Sequence, residues 1–265
     1  MARAIYLMYH ELKCPGVDLC DNSASYGRYA LTEKEFADQV ALLSRRKARV
    51  QTVSQSLATR DTDLSLVLTF DDGCVTDLKA ASVLQHFGFG ATFYVVSGFI
   101  GRPGYLSAAQ LREIADAGFE VGCHSRTHPN LSTLDSAGLH QEIVVAKKEI
   151  EDIIGKEVKH YSCPGGFWCA DAARTAVDAG FTTMATSRIG FNTSQTDPYC
   201  LSRIAIYQGT ALGRFEQLCR GRGLRARRSL QWLMDRSKQL LGERYYRRVR
   251  SGILAAGFSA GRRVG

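Results

Sequence analysis

The sequence predicts an α/β fold whose core is a parallel sheet of about seven strands. Two patterns support this prediction. Short apolar runs of strand length alternate with amphipathic helical stretches over residues 1–210, and such alternation is typical of parallel β-α-β architecture. The helical stretches near Thr32 and Ser107 begin with hydroxyl caps, and Gly118 and Gly180 follow helix ends as stop signals.

The individual elements follow in chain order. Apolar runs predict strands at residues 4–9, 64–70, 91–96, 119–123, 159–163, 181–186 and 201–207. Helical periodicity lies between them, at residues 32–46, 77–86, 107–117, 139–154 and 170–179. A long polar loop at residues 13–29 leaves the first strand, and we expect it to form a wall of a substrate groove. Both a (β/α) barrel and an open doubly wound sheet fit this order.

Composition is that of an ordinary soluble globular protein, with 45% hydrophobic and 23% charged residues. No apolar run approaches the roughly 20 residues needed to cross a bilayer, and the first apolar run is too short for a signal-peptide core. We therefore predict a cytoplasmic protein. The eight cysteines include no Cys-x-x-Cys pair, so we expect reduced thiols rather than a disulfide framework. Cys74 and Cys163 lie beside the candidate site described below.

Positive charge is concentrated near the C-terminal end. Residues 214–265 carry fourteen Lys or Arg against three acids, whereas the whole chain has a net charge of +8. We predict a barrel domain at residues 1–210 and a basic helical C-terminal extension at residues 211–265. The extension either docks its apolar stripe on the barrel or lies on an anionic membrane, peripheral at the inner face. No nucleic acid is expected as a partner, because no recognised nucleic-acid module accompanies the arginines.

Two short motifs carry the chemistry. Asp71 and Asp72 follow one predicted strand, and His124 follows another. Functional groups of parallel α/β folds gather at the carboxyl ends of strands, and His128 lies four residues beyond His124. One aspartate with two histidines is a common ligand set for a catalytic divalent metal, and the second aspartate is free to act as a base. These residues alone do not decide which aspartate takes which role.

The motifs resemble a known family. Thr-Phe-Asp-Asp-Gly at residues 69–73, followed by His-Ser-x-x-His at residues 124–128, is similar to the polysaccharide deacetylase family, also called the NodB homology domain or carbohydrate esterase family 4. The resemblance covers about residues 64–207, and the opening Tyr9-His10 pair is similar to one branch of that family. It favours a distorted (β/α) barrel of the NodB type over an open sheet.

The resemblance also implies roles for the site residues. Metal ligands would be Asp72, His124 and His128, and the catalytic base would be Asp71. Zinc suits a set of two histidines and one aspartate, although other divalent ions fit as well. The partner implied is an N-acetylated carbohydrate substrate.

The third family motif departs from its usual form, Arg-x-Pro-(Phe/Tyr). Here Ser162 replaces the arginine that orients the base, and Gly165 follows Pro164 in place of the aromatic residue. We expect Pro164 and Gly165 to contact the substrate or oxyanion, with the Gly165 backbone N–H as donor. Arg126 or Arg203 is the candidate to replace the missing positive charge.

The usual catalytic acid of the family is also missing. No Asp-x-x-x-Trp motif follows Gly180, and the last histidine is His160, so the late histidine does not exist in this sequence. His10 also lies where a predicted strand ends and so faces the same end of the fold. We hypothesise that His10 is the acid, or that it holds an acetate oxygen.

These observations predict a metal-dependent hydrolase that removes an acetyl group from an N-acetylated amino sugar, on a free, lipid-linked or nucleotide-linked sugar. Two alternatives remain open. The same metal site would serve an O-deacetylase or a deformylase. From a different class, the altered third motif and missing late histidine fit a catalytically weakened carbohydrate- or lipid-binding module.

Overall fold

The structure, a computed structural model, describes residues 3–21, 23, 26–59, 63–224 and 226–229. The chain divides into two compact units, Met1–Arg222 and Gly223–Gly265. In the described part of the chain, no helix is long and apolar enough to cross a membrane. Most of the predicted basic extension, from residue 230 onward, lies outside the described residues, so its helical character and membrane contact stay predictions.

Seven parallel strands curl into a distorted barrel in the first unit. They are β1 (Arg3–Tyr9), β2 (Leu64–Phe70), β3 (Thr92–Val95), β4 (Glu120–Cys123), β5 (His160–Ser162), β6 (Thr183–Ala185) and β7 (Ile204–Ala205). Strands β1 to β6 pair in chain order, and β7 pairs with the other side of β1. A bridge between Ala185 and Leu201 links β6 to the segment before β7. The predicted distorted (β/α) barrel with about seven parallel strands is therefore confirmed.

Four shorter strands accompany the barrel. Leu12–Lys13 pairs with Leu31–Thr32 in a separate two-stranded sheet, and Arg49–Gln51 runs parallel to β2. Asn192–Thr193 runs antiparallel to β1, which makes the main sheet mixed.

Helices connect the strands. They are α1 (Glu33–Arg45), α2 (Val53–Ala58), α3 (Asp77–His86), α4 (Ala108–Asp116), α5 (Ser136–Leu139), α6 (Ala146–Ile154), α7 (Ala170–Asp178) and α8 (Leu212–Cys219). A π-helical turn, His140–Val145, joins α5 to α6. Capping boxes begin α1, α2 and α4, because their hydroxyl caps bond the third helical N–H. Helix α8 belongs to the first unit and contacts α1 through the ion pair Arg46–Glu216 at 2.7 Å.

An aromatic stack supports the end of the barrel that carries the candidate site. The Tyr9 and Phe70 rings stack at 5.3 Å, and Phe70 stacks on Phe93 at 4.7 Å. All three rings are buried; Tyr9 and Phe70 end β1 and β2, and Phe93 lies in β3 opposite Phe70. Buried aromatic pairs stabilise through both apolar area and ring geometry, so this stack gives the residues after β1 and β2 a fixed support.

Candidate metal and catalytic site

The predicted ligand set converges on one point. Asp72 Oδ1 is 3.6 Å from His124 Nε2 and 3.6 Å from His128 Nε2, and one ligand atom from each residue lies within 4.8 Å of the others. Metal–ligand bonds of about 2.0–2.2 Å in tetrahedral geometry place ligand atoms roughly 3.4 Å apart. The three residues therefore fit a single divalent metal ion.

The protonation state of both histidines and the orientation of His124 suit metal binding. His124 Nδ1 donates to the Ser162 carbonyl oxygen at 2.8 Å, because a carbonyl oxygen only accepts. This leaves the Nε2 lone pair facing Asp72. Burial lowers the pKa of His124 to about 3 and also lowers the pKa of His128. Both rings are thus neutral near pH 7, and the half-exposed His128 lies at the mouth of the site.

The backbone at the site is strained. Asp72, Ser125 and His128 have positive φ angles of 82°, 70° and 61°. Among the described residues only one other non-glycine residue, Lys47, shares this conformation. Left-handed backbone is costly for residues with a Cβ and persists where the surrounding structure enforces it. With these backbone conformations, the ligand side chains of the two short motifs converge on one point.

Glu142 supports the loop that carries the two histidines. Its carboxylate accepts bonds from the Arg126 and Thr127 backbone N–H groups, both at 2.8 Å, and from Thr127 Oγ1 at 2.6 Å. Glu142 lies within the π-helical turn, and such turns occur often at functional sites. Sequence reasoning did not single out Glu142, because nothing in an amphipathic helical pattern distinguishes this acid from its neighbours.

Arg203 holds the second aspartate. Its guanidinium donates to Asp71 Oδ1 at 2.7 Å and to Asp71 Oδ2 at 2.8 Å. The remaining donors reach the Thr186 carbonyl oxygen at 3.0 Å, Thr69 Oγ1 at 3.3 Å and Ser162 Oγ at 2.8 Å. All five N–H groups of this fully buried arginine are therefore satisfied. A forked, bidentate pair of this kind fixes a carboxylate in orientation as well as in charge.

The two adjacent aspartates differ electrostatically. Burial raises the pKa of Asp71, but the Arg203 charge outweighs this effect and holds the pKa well below its usual range. Asp72 lacks such a partner, so burial raises its pKa, and the neighbouring Asp71 charge raises it further. Asp71 is therefore a fixed anion. Asp72 is the carboxylate that gains most from a cation beside it.

Arg203, in the segment before β7, supplies the guanidinium that the third motif lacks. Ser162 Oγ accepts from Arg203 and lies 3.3 Å from Asp71 Oδ2, so the small serine leaves room for an arginine that precedes β7. Arg126, the other candidate, instead pairs with Glu149 at 2.9 Å.

His10 lies close to both aspartates. His10 directly follows β1 and contributes to lowering the pKa of Asp71 and of Asp72, as expected for a ring at the carboxyl end of the strands. The ring packs against Tyr29 with centroids 4.5 Å apart. Its buried Nδ1 has no hydrogen-bond partner within the described ranges, and a buried polar atom without a partner is costly unless a ligand or water meets it.

Pro164 and Gly165 form a tight turn directly after β5. Gly165 has φ of 58°, and a Cβ at this position would lie 2.7 Å from the Phe167 ring. Only glycine fits both the conformation and the space. The turn begins two residues beyond Ser162, which contacts Asp71, so it lies at the catalytic end. Phe167 is 39% exposed beside it and was not singled out from the sequence.

Known proteins share the sequence around these motifs. Residues 59–184 match the family described as Polysaccharide deacetylase. A chitooligosaccharide deacetylase from a Bradyrhizobium strain is 32% identical over 121 residues, covering 44% of this chain and 52% of the relative. A peptidoglycan-N-acetylglucosamine deacetylase from Bacillus cereus is 29% identical over 121 residues, covering 45% and 54% respectively. The chain thus spans about half the length of these curated relatives.

Solved structures share the fold. A polysaccharide deacetylase from Bacillus cereus superposes with a TM-score of 0.73 at 21% identity, over 82% of this chain and 69% of that one. The Streptococcus pyogenes deacetylase PplD gives 0.72 at 17% identity, over 81% and 97%. The matched segment contains the Asp-Asp-Gly and His-x-x-x-His motifs, so residues 59–184 are similar to the polysaccharide deacetylase family, and the chain shares its fold with solved deacetylases.

Proposed function

We propose that this protein is a metal-dependent hydrolase that removes an acetyl group from an N-acetylated amino sugar. One observation carries the proposal: three ligands in metal-binding geometry lie beside a buried carboxylate that a guanidinium holds in place. The match of residues 59–184 to the Polysaccharide deacetylase family supports carbohydrate deacetylation. Two relatives are named as a chitooligosaccharide deacetylase and a peptidoglycan-N-acetylglucosamine deacetylase. These names support an acetylated amino sugar as substrate.

Asp72, His124 and His128 would hold the metal, and zinc suits this donor set. When bound, such a metal supplies Lewis-acid chemistry, because it lowers the pKa of water and polarises an acyl carbonyl. The neutral histidines and the raised pKa of Asp72 favour cation binding here. His124 keeps its orientation through the bond from Nδ1 to Ser162.

Asp71 would be the base that takes a proton from the attacking water. Its low pKa makes it a weak base by itself, so it depends on a water that is already acidified. The arginine fork uses one lone pair on each carboxylate oxygen, and the Ser162 hydroxyl donates to the same carboxylate at 3.3–3.4 Å, so one lone pair stays available for a proton. Arg203 is thus a positioning residue that fixes where the proton acceptor lies.

His10 would deliver a proton to the departing amine or hold the acetate oxygen, and the Gly165 N–H would donate to the oxyanion. Replacement of His10 by alanine should lower kcat by about 10²- to 10⁴-fold and remove one limb of the pH profile. Full turnover with an unchanged pH dependence would end this assignment. Zinc content of the variant serves as the control, because His10 is not a proposed ligand.

The enzyme alternatives are separated by the bond cleaved, amide or ester, and by the acyl group released. An O-deacetylase or a deformylase would use the same site, so the reaction product decides between them. The binding-module alternative rests on Ser162 and on the missing late histidine. The contact of Arg203 with Asp71 supplies the guanidinium that Ser162 replaces, and His10 is the residue proposed in place of the late histidine.

The decisive experiment is mass spectrometry of acetylated sugar, nucleotide-sugar and lipid-linked sugar pools incubated with zinc-loaded protein. We expect one pool to lose the mass of a single acetyl group, and Asp71→Asn to abolish that loss while keeping its zinc. Esterified and formylated sugars are assayed in parallel. Equal turnover by wild type and Asp71→Asn, or release from an ester alone, would contradict the proposal.

A further inference from the structure

A pair of thiols lies beside the proposed metal site and takes no part in the chemistry above. Cys20 Sγ is 2.7 Å from Cys74 Sγ. Cys74 directly follows the Asp-Asp-Gly turn and is fully buried, whereas Cys20 is half-buried on the loop at residues 13–29. The two residues are 54 positions apart in sequence, so only the fold brings them together.

The surroundings hold the Cys20 backbone and sulfur in place. Both carboxylate oxygens of Glu11 accept from the Cys20 backbone N–H at 3.1 Å. The Gly104 carbonyl oxygen accepts from Val75 N–H at 2.8 Å and lies 2.9 Å from Cys20 Sγ. A Cβ on Gly104 would lie 3.5 Å from the same sulfur. These contacts fix the Cys20 backbone and restrict the position of its sulfur, which lies beside Cys74.

A metal ion explains this arrangement less well than a covalent bond does. Glu11, Cys20 and Cys74 place ligand atoms within 4.8 Å of one another, but two zinc-bound thiolates with Zn–S bonds of about 2.3 Å lie roughly 3.7 Å apart. The observed 2.7 Å is nearer to the disulfide bond length of about 2.05 Å. Glu11 is also already engaged with the Cys20 N–H. We propose that Cys20 and Cys74 form a disulfide that joins the loop at residues 13–29 to the Asp-Asp-Gly turn.

The bond forms by thiol–disulfide exchange with a small-molecule or protein disulfide. The more exposed Cys20, as its thiolate, attacks one sulfur of the oxidant and expels the other as a thiolate. Cys74 then gives up its proton and attacks the Cys20 sulfur of the mixed disulfide, which expels the second thiolate of the oxidant. Two protein thiols are thereby oxidised to one disulfide, and one external disulfide is reduced to two thiols.

The cross-link would fix the wall of the site. The same loop carries Tyr26, whose hydroxyl is 3.2 Å from Cys74 Sγ and whose ring meets His10 edge-on at 6.4 Å. Closing a loop of this length restricts the unfolded chain and steadies the folded loop. In a reducing compartment the bond opens, so the pair is sensitive to the surrounding redox potential.

The test is peptide mapping of the full-length protein after exposure to oxidised glutathione, with free thiols alkylated and no reductant added. We expect a linked peptide pair containing Cys20 and Cys74, absent in Cys20→Ser. Oxidised wild type should melt on the order of 5–10 °C above protein reduced with dithiothreitol. That difference should vanish in Cys20→Ser and in Cys74→Ser, and persist in Cys14→Ser, which removes another thiol of the same loop.

Alkylation of both residues after oxidation would overturn the proposal, as would a second zinc per chain that is lost in Cys20→Ser. An equal melting difference in wild type and Cys20→Ser would also overturn it. None of these readouts needs deacetylase activity, so the outcome is independent of the proposed function. Where activity is measured, reduction should raise KM several-fold in wild type and leave Cys20→Ser unchanged.

Discussion

At each end of the barrel an acidic side chain lies against a basic residue, and the two pairs differ in their surroundings. At the carboxyl ends of the strands, Asp71 pairs with Arg203. At the amino ends, Glu120 begins β4 and lies 3.3 Å from His160, which begins β5. Glu120 also accepts from the Val53 backbone N–H at 3.0 Å.

The two ends differ in how completely their polar side chains are hydrogen-bonded. Glu120 takes further bonds from the Ser54 N–H and from Thr92 Oγ1 at 2.6 Å, and His160 bonds Ser54 Oγ at 2.7 Å and Thr183 Oγ1 at 2.9 Å. The Glu120 carboxylate and both nitrogens of the His160 ring are therefore hydrogen-bonded within this cluster. The other end combines strained backbone, an unpartnered His10 nitrogen and an exposed His128 edge. Contact between an acid and a basic residue therefore does not by itself indicate a functional site. Within the described residues, the carboxyl end is distinguished by potential ligand atoms without hydrogen-bond partners and by strained backbone.

The largest expected effect comes from comparing His124→Gln, at the carboxyl ends of the strands, with His160→Gln, at their amino ends. His124→Gln should lose bound zinc and lower kcat/KM by about a thousandfold or more, because several kcal/mol of metal-derived stabilisation disappear. His160→Gln should keep both zinc and activity and lose only stability. Activity assays, metal analysis and thermal melts on both variants provide the measurement. Loss of zinc from His160→Gln would contradict the view that only the carboxyl end of the barrel binds the metal.

Removal of Arg203 should affect stability and activity together. Arg203→Met leaves the Asp71 charge buried without a partner, which costs about 3–5 kcal/mol in the free energy of unfolding. The double variant Arg203→Met with Asp71→Asn should recover much of that loss in denaturant unfolding, because the unpaired charge is gone. Arg203→Lys should be intermediate, since lysine cannot form the fork. An unchanged unfolding free energy in Arg203→Met would contradict the buried pair.

At the opposite end, Glu120→Gln should destabilise without altering catalysis. Several donors lose a charged acceptor, at a cost of about 1–3 kcal/mol in unfolding free energy. We expect kcat/KM to stay within about twofold of wild type at temperatures below the melting transition. A larger fall in kcat/KM would show that the amino-terminal cluster couples to the site.

The smallest expected effect is a pH dependence of stability in the metal-free protein. Burial lowers the pKa of His124 to about 3 in the folded state, so the unfolded chain binds this proton first as pH falls below about 6.5. Stability is therefore complete above that pH and declines as pH drops towards the folded pKa. Between pH 6.5 and 5.5 the loss should be about 1 kcal/mol. Urea unfolding of wild type should show this slope, and His124→Gln should flatten it.

Sequence periodicity anticipated most of the fold. The seven strands and five of the helices lie where apolar runs and hydroxyl caps indicated, because local burial patterns and capping chemistry determine them. The last strand is the least well anticipated. Residues 201–207 read as one apolar run, but only Ile204–Ala205 pairs with β1. The neighbouring Arg203 turns its guanidinium to Asp71.

By itself, the sequence determined the chemical identity of the site: two carboxylates and two imidazoles placed after predicted strands, within motifs that resemble one family. It left two replacements for the missing arginine open. Only the tertiary structure chose Arg203 over Arg126, brought Cys20 to Cys74, and placed Glu142 beneath the histidine loop. The reason is physical. Strand ends are defined by local patterns, but a contact between residues far apart in sequence depends on how the strands curl together.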